Sequence, residues 1–198
     1  MRKLVFAALA ASAFATPAFA QDAPFTGLRA EGVVGYDKVK DGTGQDAGSS
    51  DGVTYGGAIG YDLQIGGAVI GAEAELTGST TDTRADSLLV AGDRLTVDMG
   101  RDIYLGGRVG VAVTPTTLLY AKAGYTNARV ETTYETAVSR TRISEDMEGY
   151  RLGAGAEVAL SGNMYLKGEY RYSNYGSIDG YDIDVDRHQV VAGIGIRF

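Results

Sequence analysis

The chain has 198 residues, enough for about one domain, and a formal net charge of −7. That charge argues against nucleic acid as a partner, because phosphate binding requires a basic patch. The chain has no cysteine, so an exported fold cannot depend on disulfides, and no stretch after residue 20 approaches the length of a transmembrane helix.

Residues 1–20 have the pattern of a secretory signal peptide. Arg2 and Lys3 supply the positive start, residues 4–15 form an apolar run, and Ala18-Phe19-Ala20 fits a cleavage site. The alternative is an uncleaved membrane anchor, which the shortness of the apolar run disfavours. We predict a signal peptide over 1–20 and a single domain over 21–198, whose charge falls to about −9 once Arg2 and Lys3 are removed.

Eight segments of the mature chain alternate between apolar and polar residues, the period of a β-strand. Each has about the length that crosses an outer membrane at a tilt. The 29 glycines and 13 tyrosines also suit a small barrel, since Tyr favours membrane interfaces and Gly leaves interior room for larger neighbours. The segments cover roughly 27–37, 53–63, 68–78, 101–113, 117–130, 147–160, 164–174 and 187–198.

The connections between these segments alternate in length. Residues 64–67, 114–116 and 161–163 are tight turns, whereas 38–52, 79–100, 131–146 and 175–186 are long and polar. Transmembrane barrels have short periplasmic turns and longer extracellular loops, and a soluble sandwich has no reason for this alternation. The sequence therefore predicts an all-β fold, an eight-stranded antiparallel up-and-down transmembrane β-barrel over 21–198.

Charged residues collect on the inward face of the predicted strands. In the fourth segment, Ile103 and Leu105 share the apolar face, and Asp102 and Arg108 lie opposite. Near neutrality is expected if the inward charges pair, because an unpaired charge in a confined interior is costly. The alternative is the solvated face of a soluble sheet. The predicted interior network comprises Arg29, Arg108, Lys122, Arg151, Lys167, Arg171 and Arg197, with Glu31, Asp62, Glu73, Glu75, Asp102, Glu157 and Glu169.

Several stretches of the chain resemble the small eight-stranded outer-membrane barrels of the OmpA/OmpX type. More narrowly, it is similar to the alphaproteobacterial porin-family surface antigens and opacity-type proteins. The stretches that carry the resemblance are the signal peptide and residues 57–62, 119–125, 165–172 and 190–198. In the terminal strand, apolar residues recur at every second position and the chain stops on Phe198, which the resemblance identifies as an assembly signal. The resemblance implies the bacterial outer membrane as location, with the barrel assembly machinery, outer-membrane lipids and lipopolysaccharide as partners.

Candidate chemistry in the chain is sparse. The one histidine, His188, opens the last predicted strand, and position 190 is Val rather than the Ser that a lipid A deacylase-like pair would need, so we interpret His188 as an interfacial residue. The acidic run Asp179 to Asp186 lacks the spacing of an EF-hand loop and favours a solvated hairpin tip, with cation binding as the alternative. The glycines at 42–44 precede no helix and predict a loop. We therefore expect no cofactor, no metal and no catalytic residue.

Three functions are compatible with these features. The leading prediction is a non-enzymatic surface protein that contributes to envelope integrity and presents acidic loops. The second is an adhesin or opacity-like interaction protein that binds an extracellular ligand through its loops, since long functional loops on a rigid scaffold are common. The third is a narrow small-solute porin, although eight strands leave an interior that side chains can fill.

Overall fold

Nine β-strands make up almost all of the described backbone. The structure, a computed structural model, describes residues 23–41, 48–80, 82–86, 94–135, 140–160, 163–177 and 185–198. The predicted signal peptide, the glycines at 42–44 and most of the acidic run 179–186 lie outside these residues. The strands are β1 (Gly27–Asp41), β2 (Gly48–Ile65), β3 (Ala68–Ser79), β4 (Asp82–Asp86), β5 (Arg94–Thr114), β6 (Thr117–Glu135), β7 (Arg140–Ala159), β8 (Met164–Ser177) and β9 (Val185–Arg197).

Eight of these strands close into an antiparallel barrel, which confirms the predicted fold class. The strand order is β3-β2-β1-β9-β8-β7-β6-β5, and β3 also pairs with β5, from Ala68 opposite Val111 to Gly78 opposite Arg101. Closure removes the unpaired strand edges that an open sheet would expose. None of the described residues belongs to a helix long and apolar enough to cross a membrane.

The barrel has two distinguishable ends. At one, which we call the turn end, β2 joins β3 and β5 joins β6 through two-residue turns, and the last residue, Phe198, lies beside Leu28. At the other, the loop end, the strands continue well beyond their predicted limits. Transmembrane barrels usually have short turns on the periplasmic side and longer loops on the outer side, so we expect the turn end to face the periplasm.

The predicted loops are shorter than the sequence suggested, because strand pairing continues through them. β5 begins at Arg94 rather than near 101, β7 begins at Arg140 rather than near 147, and β4 lies within the predicted connection 79–100. β4 pairs with β5 from Asp82 opposite Asp98 to Asp86 opposite Arg94. These extensions stand beyond the apolar band, and the alternation that marks a membrane-crossing strand is missing from β4 and weak in the first part of β7, although Leu95, Val97 and Met99 do alternate in β5.

The two faces of each strand differ as predicted. Outward apolar side chains are exposed, among them Ile59, Leu105 and Val109 at 61–63%. A girdle of exposed tyrosines borders this apolar band toward the loop end: Tyr36, Tyr55, Tyr125, Tyr150 and Tyr170. Aromatic girdles of this kind sit at the membrane–water interface of barrels.

Glycine provides room inside the barrel for larger neighbours. A Cβ on Gly195 would overlap the ring of the fully buried Tyr165, and one on Gly106 would overlap that of Tyr104. By contrast, a Cβ on the outward-facing Gly168 would meet no atom within 4 Å. An inward glycine therefore allows a tyrosine to lie across the narrow interior.

Candidate functional site

The barrel interior is the candidate site, and the structure places all fourteen sequence-predicted charged residues inside it. Each exposes 9% or less of its surface. Two further charged residues, Asp37 and Arg187, lie there as well. Among the described residues, the buried charged set thus contains eight cations and eight anions, so the interior is formally neutral.

Sequence reasoning did not include the Asp37–Arg187 pair. Arg187 Nε donates to Asp37 Oδ1 at 2.8 Å, and Ser79 Oγ donates to Asp37 Oδ2 at 2.7 Å. Each of the two lies an even number of residues from a charge already assigned to the interior on the same strand, Asp37 from Arg29 and Arg187 from Arg197, and therefore points to the same side. Extending the alternation to the ends of the strands would have identified this pair.

Asp102 is the centre of the network at the loop end. Arg187 Nη1 lies 2.7 Å from its Oδ2, and Arg151 donates to the same oxygen. Thr126 Oγ1 and Tyr175 Oη donate to it at 2.6 and 3.1 Å. One carboxylate thus satisfies two guanidinium groups and two hydroxyls from four different strands.

Glu75 and Glu169 hold the middle of the network. Arg171 donates two hydrogen bonds of 2.6 Å to Glu75, a bidentate geometry that makes such pairs strong. Arg151 donates to the same carboxylate at 3.2 Å. Arg171 also donates to Glu169, whose Oε1 lies 2.8 Å from Lys122 Nζ. The middle of the barrel is therefore crossed by alternating positive and negative groups.

Two tyrosine hydroxyls donate hydrogen bonds to interior carboxylate oxygens. Tyr120 Oη donates to Glu169 Oε2 at 2.6 Å, and Tyr165 Oη donates to Glu31 Oε2 at 2.8 Å. Lys167 donates to the other oxygen of Glu31 and lies 3.7 Å from Glu169. Buried hydroxyls of this kind lower the cost of desolvating a carboxylate.

Asp62 is the corresponding centre at the turn end, where three arginines converge on it. Arg108 Nε donates to Oδ1 at 2.8 Å, Arg197 Nη1 donates to Oδ2 at 2.7 Å, and Arg29 Nε lies 3.2 Å away. Glu157 shares Arg108 and Arg197 with it. Removing this carboxylate would take from three guanidinium groups the partner that they share.

The ion pairs join into one continuous network along the barrel. Glu73 connects its two parts, because it contacts Arg29 and its Oε1 lies 2.7 Å from Lys122 Nζ. Apolar clusters stand at both ends. Phe25, Val69, Leu118 and Tyr120 lie at the turn end, and Ala128, Met147, Tyr175 and Val185 lie at the loop end.

A few buried polar atoms of the interior have no hydrogen-bond partner in the described residues. Both amide atoms of Gln189 are in this state, as are Thr77 Oγ1 and Tyr104 Oη. The ring of Tyr104 lies instead under two cations, 4.7 Å from Lys122 Nζ and 5.4 Å from the guanidinium carbon of Arg151. The interior therefore favours charge pairing and cation–π contact over complete hydrogen bonding.

His188 does not join the interior network. Its Nδ1 lies 2.7 Å from Tyr170 Oη, and its ring centre is 5.2 Å from that of Tyr172, within the outward aromatic girdle. No group of three metal-ligating side chains occurs among the described residues. The interior offers buried charge pairs rather than a nucleophile held beside a base.

A second charged cluster lies outside the barrel wall, just beyond the apolar band. A bulge in β5 places Gly100 and Arg101 opposite the single residue Arg129 of β6. Arg129 donates to both oxygens of Asp146, at 2.8 and 3.1 Å, and these hydrogen bonds hold the pKa of the Asp146 carboxyl below its usual value. Arg101 approaches the same carboxylate at 3.8 Å.

Known proteins with related sequences are outer-membrane proteins. The model of the outer membrane protein beta-barrel domain family matches residues 6–198. A 22 kDa outer membrane protein of Rhizobium leguminosarum bv. viciae is 33% identical over 154 residues, 73% of this chain and 66% of that protein, just under two thirds of its length. A 31 kDa outer-membrane immunogenic protein of Brucella melitensis biotype 1 is 29% identical over 178 residues, 80% of this chain and 73% of that protein.

Two solved barrels share the fold at low sequence identity. Neisserial surface protein A superposes with a TM-score of 0.57 and 15% identity, covering 87% of this chain and 98% of that one. The attachment invasion locus protein of Yersinia pestis, solved with a heparin analogue, gives 0.51 and 12% over 86% of this chain and 99% of its own. At these identities the likeness concerns the fold alone.

Proposed function

This chain belongs to the outer membrane protein β-barrel domain family, and from that premise we propose that it is a non-enzymatic barrel that contributes to envelope integrity. It lies in the bacterial outer membrane. The observation that carries the proposal is the filled interior, where eight cations and eight anions pair between two apolar clusters. A rigid and neutral interior suits a wall element better than a passage or a catalytic pocket.

We infer the acidic character of the loops from the distribution of charge in the protein. Because the buried charges cancel, the whole net charge of the mature chain, about −9 after removal of Arg2 and Lys3, is carried by residues outside the interior network. The loops would therefore present negative charge at the cell surface. Negative charge of this kind keeps the exposed loops well solvated and repels other anions.

Complementation of a deletion strain tests the envelope role. Cells lacking the protein should become more sensitive to detergent and to large antibiotics, and both the wild type and a barrel with residues 38–52 and 131–146 shortened should restore resistance. Immunoblotting of the outer membrane controls for the amount of protein. Unchanged permeability in the deletion strain would contradict the proposal.

A surface interaction protein is the second candidate, and the polar sheet beyond the apolar band favours it. In this region, β4 and the first parts of β5 and β7 continue the antiparallel pairing with their neighbouring strands. The Brucella relative is named an immunogenic protein, which fits exposure of that protein at the cell surface. Pulldown of extracellular matrix proteins with intact and loop-shortened barrels separates the two candidates, because equal capture by both would contradict an adhesin.

Single-channel recording tests the remaining porin alternative. We expect the refolded mature barrel to be silent in a planar bilayer, with folding verified by its heat-dependent gel shift. Reproducible conductance steps that change in Arg108→Gln or Arg151→Gln would instead make the interior a conducting path. Such steps would replace the envelope proposal with a transport function.

We propose that Phe198 is the assembly signal that the barrel assembly machinery reads. Its backbone N–H donates to the carbonyl of Leu28 at 2.8 Å, while its side chain is 71% exposed at the turn end. Phe198→Ala should lower the amount of barrel in the outer membrane of cells without changing refolding of the purified chain. Equal assembly of both forms in cells would remove this role.

A further inference from the structure

We propose that the outer wall of the barrel, from β5 across β3, β2 and β1 to β9 and β8, binds one phosphorylated acyl glycolipid of the outer leaflet, of the lipid A type. Arg101 would hold its phosphate, and an apolar groove below would hold one acyl chain. This site deepens the proposed envelope role and rests on it, because it would anchor the protein in the surrounding lipid layer.

The headgroup end of the site is a slot at the membrane–water boundary. It has a volume of about 510 Å³ and is lined by Tyr55, Leu76, Gly78, Gly100 and Arg101, among others. The Tyr55 ring lies over Gly78, whose added Cβ would be 3.5–3.7 Å from it, and Gly78 pairs with Arg101 of the next strand. Tyr55 belongs to the aromatic girdle, which fixes the depth of the slot at the level of lipid headgroups.

The acyl end of the site is a groove in the apolar band. It has a volume of about 790 Å³ and borders the slot at Leu76, which lines both. Small residues form its floor, since Gly32 of β1 lies directly opposite Gly57 of β2. Branched and unbranched aliphatic side chains border it: Ile59, Ile103, Ile194, Ile196 and Met164. A depression of this shape admits a flexible hydrocarbon chain.

Charge selects the kind of headgroup. Arg129 faces two carboxylates, Asp146 and Glu131, and both oxygens of Asp146 are taken by its hydrogen bonds. Arg101 has the 3.8 Å approach to Asp146 as its ion pair in the described part of the chain. Its guanidinium therefore retains donors for an anion, and phosphate matches their planar geometry.

Binding of purified lipid A to the full barrel in mild detergent, measured by native mass spectrometry, tests the charge. We expect a one-to-one complex with the wild type and affinity about tenfold weaker in Arg101→Gln, the loss of one charge-assisted interaction. Lys38→Gln is the matched control, because Lys38 is a cation of the loop end of β1 that lines neither the slot nor the groove. Equal weakening in both variants would overturn the site and leave general electrostatic attraction.

A second pair of matched variants tests whether the open space of the groove is needed for lipid binding. A Cβ at Gly32 or at Gly168 meets no atom within 4 Å, so both sites accept a leucine without displacing the barrel wall, but only Gly32 lines the groove. Gly32→Leu should weaken lipid A binding severalfold and Gly168→Leu should not, while both keep the heat-dependent gel shift. Equal binding by the two variants would overturn the groove.

The source of the ligand is tested in the same assay with phosphatidylglycerol. Binding as tight as that of lipid A would overturn the assignment to a glycolipid. The proposed function is tested separately by the permeability of the deletion strain. Failure of the lipid site with that phenotype intact would remove this inference alone, and an absent phenotype with lipid A bound would remove the envelope role alone.

Discussion

The inward and outward faces of the same strands are stabilised by different physics. On β5, Asp102 and Arg108 are buried among specific partners, while Leu105 and Val109 on the opposite face are more than half exposed toward lipid. The outward face needs apolar area and little else, so many apolar residues would serve there. The inward face depends on individual hydrogen-bonded partners, so one removed charge leaves another without compensation.

The largest expected effect comes from breaking the inward network at Asp62. Asp62→Asn removes the carboxylate on which Arg29, Arg108 and Arg197 converge and should destabilise the barrel by about 3–5 kcal/mol. Urea unfolding in detergent micelles, followed by far-UV circular dichroism, measures it. Asp146→Asn, at an exposed pair outside the barrel, is the control and should change stability far less. Equal losses of stability in the two variants would show that burial does not determine how much these ion pairs contribute to the free energy of unfolding.

Charging the outward face should have the next largest effect, and that effect should depend on depth. Val109 lies near the middle of the apolar series on β5, and Ile103 lies at its loop end. Val109→Arg should cost about 2–4 kcal/mol and Ile103→Arg about 0–1 kcal/mol, as expected of a bilayer midplane and an interface. Unfolding from phospholipid vesicles gives both values. If the two variants lose the same stability, the assumed position of the membrane is wrong.

Matched glycine substitutions sharpen the comparison on a smaller scale. Gly195→Ala places a methyl group against the ring of Tyr165 and should destabilise the barrel by about 1–3 kcal/mol. Gly168→Ala, outward and free of contacts, should stabilise it by about 0.5–1 kcal/mol, because alanine loses less backbone freedom on folding. Thermal gel-shift midpoints report both. Similar shifts in the same direction would contradict the role of inward glycines.

The smallest effect concerns the exposed pair beyond the membrane. The folded-state pKa of Asp146 is lowered by hydrogen bonds from Arg129, so its contribution to stability is complete above its ordinary pKa of 3.8. That contribution is lost as the pH falls through the lowered value. An NMR titration of the Asp146 carboxyl carbon should show a higher pKa in Arg129→Gln than in the wild type. An identical pKa in both would show that Arg129 does not stabilise the carboxylate.

Sequence reasoning found the membrane-crossing strands and most of the site, and it failed where apolar contrast disappears. Arg108 was placed inside because apolar Leu105 and Val109 mark the opposite face. Asp37 was placed on the charged face opposite Tyr36 but was not included in the network. Arg187 was left out because its neighbour His188 is polar too, so the alternation gives no contrast there. β4 and the extension of β7 were missed for the same reason, whereas Leu95, Val97 and Met99 alternate with polar residues and could have indicated the extension of β5. Sheet hydrogen bonds continue into water without needing an apolar face.

The period-two pattern by itself determined that this chain forms an eight-stranded barrel and which side chains point inward. A strand shifted by one residue would turn every charge toward lipid, so the pattern admits one assignment of faces. Only the tertiary structure decided which charges pair. Arg187 meets Asp37 across 150 positions of sequence, and Arg151 meets Glu75 across 76. Such partners are set by how the strands stagger when the barrel closes, and that stagger depends on every strand at once.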